Sequence, residues 1–441
     1  MSLIEDLKTQ LQRVQTDGAA AALHAAETNI GAFIDHMKQH TLQYPEPVFA
    51  VLRQVKPIII FKNTAIVTRF TDVQEVLSRD DVFQVTYGEK MRVITGGGDF
   101  FLGMQNSAAY ERDVANMRSV MRREDVSKHI VPFVAKTAED CVAAANGKLD
   151  VATQLGRAVP AKWVASYFGC TPPSDQDLVD WGTTIFQFLF TDLNNDPAVS
   201  AAARSAAKKA CAWLDETIAK RKATPSNTID DVLGRCLKLQ AAGSPGMDDL
   251  GIRNNLIGLL TGAIPTTAKC CAQSLDELLK RPDELAKAQE AARAGDDALF
   301  AQYVFEALRF NPNNPGVFRM AAEDYVVARE SAHATLIPKG ANVLASTQSA
   351  MFDERFVEAP NEFRVGRPEY ASMMWGYGLH TCFGQFINRV QIPGVLKPLL
   401  CRTNLRRAEG EAGQLGYTGP FPSRLGVEFD AAAGATARGR L

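Results

Sequence analysis

The stretch WGYGLHTCFGQ, Trp375 to Gln385, sets one thiol, Cys382, among three glycines, a histidine and three aromatic residues. A thiol ligates iron as thiolate, and a thiolate is stabilised by a positive metal, by backbone N–H groups and by the start of a helix. CFGQFINRVQI, which begins at Cys382, reads as such a helix start. Gly376 and Gly378 permit the positive φ or close approach that a loop needs to wrap around a sulfur, and Gly384 leaves room for a flat group against the helix. His380, two residues before the thiol, can donate to a carboxylate. Upstream, FEALRF holds Glu306 and Arg309 three residues apart on a predicted helix, so carboxylate and guanidinium share a face and can pair.

The elements that must position these groups are mostly helical. Two helical stretches open the chain up to about His40, and KPIIIFKNTAIVTRF then gives two β-branched runs separated by Lys62, Asn63 and Thr64, a hairpin signal. Helical patterning continues to about Gln240, broken by VTYGEKMRVITGGGDFFLGM and by turn clusters. Gly96, Gly97 and Gly98 lack the Lys-Ser/Thr ending of a phosphate loop and read as a surface or lid loop. MDDLGIRNNLIGLLTGAIPTTAKCCAQSLDELLK, Met247 to Lys280, predicts one unusually long helix, with Arg281 and Pro282 supplying its stop. The helix ALFAQYVFEALRFNP follows, then short strands in PGVFRMA, YVVAR and NVLAS, an irregular region from Met351 to Met374, the helix after Cys382 with Pro393 inside it, and a last strand in RLGVEFD. The fold class is mainly α with small β-sheets.

Composition excludes several functions. Of 441 residues, 46% are hydrophobic and 22% charged, with a net charge of -2, which is the balance of a globular protein without the basic stripe a phosphate backbone needs. There is no apolar run of about 18 residues, and the amino end, MSLIEDLKTQLQRVQTDG, reads as a charged amphipathic helix, so neither a membrane span nor a signal peptide is expected and the cytoplasm is the expected location. The eight cysteines are scattered without zinc-ligand spacing, so reduced thiols are the default.

The run from Trp375 to Gly384 closely resembles the cysteine-ligand loop of the cytochrome P-450 superfamily, Phe-Gly-x-Gly-x-His-x-Cys-x-Gly, with Trp375 in place of Phe. Glu306 and Arg309 match the family's Glu-x-x-Arg at the right distance upstream. The resemblance implies that Cys382 is the axial ligand of haem b, that Gly376, Gly378, Gly384 and Trp375 shape the cofactor loop, and that Arg319, in NPNNPGVFRMAAED, and His380 hold the propionates. Arg118, or Arg112, is a third cation for them. Arg367, after PNEF, or else Arg364, joins Glu306 and Arg309. It implies one catalytic domain over 41–441, with 1–40 as a helical extension packed on it.

In that family the long helix carries an Ala-Gly-x-acid-Thr stretch whose acid and alcohol relay protons to dioxygen. Here LLTGAIPTTAK puts Thr266 at the alcohol position and Pro265 where Asp or Glu is expected, and no acid lies between Arg253 and Asp276. The resemblance implies monooxygenation of an apolar small molecule with electrons from a ferredoxin or flavoprotein. Without the acid, a peroxygenase or a fatty-acid hydroperoxide isomerase stays open as an alternative, as does a haem sensor or carrier without turnover. Val93, Ile94, Phe100, Phe101, Leu256, Ala263 and Val317 are the candidates for an apolar substrate pocket, and core packing explains each of them as well.

Overall fold

The computed structural model describes residues 46–225 and 229–431, and the expected extension over 1–40 lies outside them. Among the described residues the chain forms two compact units, one from residues 46–86 with 314–382, the other from 87–313 with 383–431.

The first unit is built on a five-stranded sheet. Its hairpin is the expected one: β1 (Ile58–Phe61) pairs antiparallel with β2 (Thr64–Val67), with Phe61 opposite Thr64 and Lys62 at φ 52 in the turn. With β3 (Phe83–Gln84), β4 (Val317–Ala321) and β5 (Asn342–Ala345) the strand order is β1-β2-β5-β4-β3. Helix α1 (Phe70–Ser78) packs Val73, Val76 and Leu77 into the core with Val343, Ala345 and Met373. Its start is fixed from outside, because the Phe70 N–H donates to Asp353 Oδ2 at 3.0 Å. The ligand loop, from Trp375 to Cys382, completes this unit.

The second unit is helical. It contains α2 (Gly88–Thr95), α3 (Ala108–Val120), α4 (Asp175–Phe186), the long α5 (Asp249–Leu279), α6 (Asp297–Phe310) and α7 (Gln385–Leu400), with a short strand β6 (Gly416–Thr418) among its small sheets. Gly96 ends α2 at φ 74, as a left-handed cap requires. The predicted long helix is found as 31 residues, about 46 Å at 1.5 Å per residue. Asp248 caps it, its side chain accepting from the Gly251 N–H at 2.7 Å, and Pro282 opens the next helix. Pro265 lies inside α5 without ending it, although it removes one N–H from the ladder. Gly258 makes room on the same helix for Phe100, whose ring fills the place a Cβ would take.

A buried ion network ties the early helices together. Arg235 donates to both Asp125 and the Val120 carbonyl, and Tyr167 donates to Asp125 Oδ2 at 2.8 Å. Both Arg235 and Asp125 are buried, so each satisfies a charge the other could not leave unpaired.

Candidate functional site

In the first unit the ligand loop folds as the glycines predict. Gly376 and Gly378 have φ of 76 and 72, and a Cβ on Gly378 would overlap the Leu77 carbonyl oxygen at the end of α1. The Cys382 N–H donates to the Trp375 carbonyl at 2.8 Å, which closes the loop around the half-buried thiol. Gly384 differs from its neighbours. Its φ is −86, so what it supplies is space, with only Asn388 Nδ2 at 3.7 Å from a would-be Cβ.

Arg319 lies buried in β4, and its Nη1 donates to the Phe318 carbonyl at 2.8 Å. Burial, with the Arg319 charge second, pushes the His380 imidazole down to about 4. Two basic side chains that repel one another in a buried place suit a partner that brings negative charge, such as a pair of carboxylates. Arg367 donates to the carbonyls of Glu358, Ala359 and Glu362 at 2.6, 2.9 and 2.9 Å, and so fixes that turn. Arg364 instead pairs with exposed Glu358 at 3.0 Å.

In the second unit Glu306 and Arg309 are buried and bidentate, with Nε to Oε2 at 3.0 Å and Nη2 to Oε1 at 2.8 Å. Helix α5 is buried along most of its length, but its burial lapses at Gly262, Ala263 and Thr266. No atom lies within 4 Å of a Cβ built on Gly262, so a strip of this helix borders open space. The Thr266 hydroxyl donates to the Gly262 carbonyl at 2.5 Å, and the Thr267 hydroxyl to Ala263 at 2.8 Å. Arg118 is exposed in the last turn of α3, whereas Arg112 is engaged with Asp113 at 2.7 Å.

Of the pocket candidates, Val93, Ala263 and Val317 are half-buried, while Ile94, Phe100, Phe101 and Leu256 are fully buried. The Phe101 ring lies 4.9 Å from that of Phe383, tilted by 56°. Core packing is therefore a sufficient account of those four.

A family model described as Cytochrome P450 matches residues 59–412. The chain belongs to the cytochrome P450 family. Haem b is the cofactor of this family, and the groups just described fit it: a thiol presented by a glycine-bent loop, a buried arginine beside an imidazole that would gain a proton next to a carboxylate, and an open strip on a buried helix. Among curated relatives, Cytochrome P450 144 of Mycobacterium tuberculosis is 27% identical over 61% of this chain, which spans 58% of that relative's length. A bifunctional dioxygenase–epoxy alcohol synthase of Fusarium oxysporum is 24% identical over 81% of this chain and 32% of its own. Among solved P450 structures, P450BioI in complex with hexadec-9Z-enoic acid ligated acyl carrier protein superimposes with a TM-score of 0.76 at 20% identity, covering 88% of this chain and 99% of that one. That likeness establishes the P450 fold, mostly helical with small sheets. No described helix is long and apolar enough to cross a membrane.

Two residues of α5 escaped the sequence reading. Lys269 is buried, three residues beyond Thr266, and Gln273 follows four residues later, also buried. The signal was present in the sequence: a lysine inside TTAKCCA stands on a helix whose neighbouring positions are apolar or small.

Proposed function

We propose that this protein is a haem-thiolate monooxygenase that inserts one atom of O2 into an apolar small molecule, with electrons from a separate ferredoxin or flavoprotein. The observation that carries the reading is the lapse of burial at Gly262, Ala263 and Thr266 within the otherwise buried stretch 254–278, with a hydroxyl at its end. Cys382 would hold the haem iron through its thiolate, its backbone fixed by the N–H bond to the Trp375 carbonyl. When bound, haem with a thiolate ligand supplies the electron donation that favours O–O cleavage.

The remaining roles belong to the chain's own residues. His380 and Arg319 hold the propionates, and exposed Arg118, free of the partner that engages Arg112, is the third cation. Glu306 and Arg309 form the buried ion pair that the family's Glu-x-x-Arg arrangement calls for. Val93, Ala263 and Val317 are the apolar candidates left partly open to a substrate. Thr266 handles protons: its O–H points at the Gly262 carbonyl, which leaves its lone pairs to accept a donor.

A second reading has its own support. Pro265 occupies the acid position inside an intact α5, and one relative carries an epoxy alcohol synthase activity in its name. On that reading the oxidant is a hydroperoxide, which arrives already reduced and needs no proton relay.

Two measurements decide these points. Reduced protein under carbon monoxide shows the thiolate-specific absorption band, and Cys382→Ser abolishes it; a band retained in the variant refutes the ligand assignment. Turnover with surrogate ferredoxin, its reductase and NADPH, and none with fatty-acid hydroperoxides, supports the monooxygenase. The opposite pattern establishes the second reading.

A further inference from the structure

Lys269 is 7% exposed; its ammonium keeps only a small accessible surface and, among the described residues, makes neither a hydrogen bond nor an ion pair. Burying an ammonium without an anion is costly, so its presence in the middle of α5 needs a reason. Its position gives one. Residues three and four apart are neighbours on a helix, so Lys269 borders Thr266 and Pro265 behind it and Gln273 ahead of it. Long helical side chains lean toward the N-terminus, which for Lys269 is the direction of Thr266.

Both neighbours have something to offer an ammonium. The Thr266 hydroxyl spends its proton on the Gly262 carbonyl and keeps its lone pairs. Gln273 is 3% exposed; its Nε2 donates to Asn311 Oδ1 at 2.9 Å and to the Tyr417 hydroxyl of β6 at 3.3 Å, while its Oε1 is enclosed and accepts nothing. The lysine thus has an acceptor one turn to either side.

We propose that Lys269 is the proton-supplying residue of α5, delivering protons to the Thr266 hydroxyl in place of the carboxylate that Pro265 displaces, with Gln273 Oε1 as its alternate acceptor. The inference rests on the reading of Thr266 as the proton-handling alcohol. Inserting one atom of O2 and releasing the other as water consumes two protons and two electrons, the electrons coming from the reduced ferredoxin or flavoprotein. Each proton leaves a Lys269 Nζ–H bond and joins Thr266 Oγ1 as that hydroxyl passes its own proton on. The resulting amine regains one from solvent.

The electrostatic setting supports this. Burial pushes the Lys269 ammonium down to about 8, with the neighbouring Cys270 acting in the opposite direction. The next carboxylates along α5 are engaged elsewhere, Asp276 with Arg407 at 2.7 Å and Glu277 with Arg281 at 2.6 Å. On α6, Glu306 is paired with Arg309, and on α7 the nearest polar group toward this helix is Asn388, 3.3 Å from the Thr267 hydroxyl.

The test uses haem-loaded wild type, Lys269→Met, Lys269→Gln and Lys269→Arg, each first shown to keep the carbon monoxide band, so that failure of the ligand assignment is seen separately. With surrogate ferredoxin, reductase and NADPH, O2-driven product formation drops on the order of 100-fold in the Met and Gln variants. Arginine keeps the charge but does not release a proton, so it does not restore the rate. Hydrogen-peroxide-driven turnover falls clearly less than the O2-driven rate, because H2O2 brings with it the two protons that leave as water. The wild-type O2-driven rate declines as pH rises through about 8, and this inflection is missing in all three variants. As a readout apart from activity, the rate of acylation at the Lys269 amine, read by peptide mass spectrometry, rises through the same inflection. Equal losses in the O2- and peroxide-driven routes, an unchanged pH profile, full activity in the arginine variant, or wild type that turns over peroxides but never O2, would each overturn the proposal.

Discussion

Replacing Lys269 by methionine should make the protein more stable, and by an amount that depends on pH in a way no packing effect reproduces. Methionine keeps the length of the side chain and removes the charge. The amine falls from an ordinary 10.5 to about 8 through burial, a change worth about 3.4 kcal/mol at 1.36 kcal/mol per pH unit. The sign follows from proton binding. Between pH 8 and 10.5 the unfolded chain holds the lysine proton and the folded chain has released it, so wild-type stability rises with pH across that window. Below about 8 both states are protonated and the folded state bears the whole penalty. Urea unfolding of the two proteins should therefore show Lys269→Met ahead by up to about 3.4 kcal/mol near pH 7, with the gap closing toward pH 10.5. A gap of constant size from pH 7 to 10.5 would mean that the ammonium is solvated or paired, and the case for a proton-supplying lysine would go with it. A stabilised but inactive variant is the pattern expected where a buried charge is kept for function at the expense of stability.

Two further outcomes follow from the loop and from the buried pair. Gly378→Ala combines a positive φ of 72 with overlap of the Leu77 carbonyl, and should lower the haem-to-protein absorbance ratio sharply; Gly376→Ala, whose nearest neighbour is the His380 carbonyl at 3.9 Å, should cost only about 1–2 kcal/mol of backbone strain and keep most of the haem. Glu306→Ala strands the Arg309 guanidinium in a buried place and should destabilise by about 3–5 kcal/mol in urea unfolding, whereas a Glu306→Leu, Arg309→Met double variant should cost clearly less, because no charge is left alone.

What could be read from the sequence was what is written locally. The Asp248 cap and the Arg281-Pro282 stop bracket α5 to within two residues, the β-branched runs around Lys62 give the hairpin, and the Cys382 loop declares itself through glycines whose positive φ the fold then uses. What could not be read depends on contacts distant in sequence. The pairing of Asp125 with Arg235 joins segments 110 residues apart, and neither residue carries a local sign of burial. For Phe100 the sequence leaves substrate pocket and core packing equally open; its ring is packed where Gly258 leaves room, a fact that belongs to two segments at once. Lys269 lies between these cases. Its letter, three residues after Thr266 on a predicted helix, placed it beside the missing acid from the outset, but a lysine is read by default as a solvated charge. Only its enclosure, with no anion to hold it, turns the same letter into a candidate for the chemistry that Pro265 gave up.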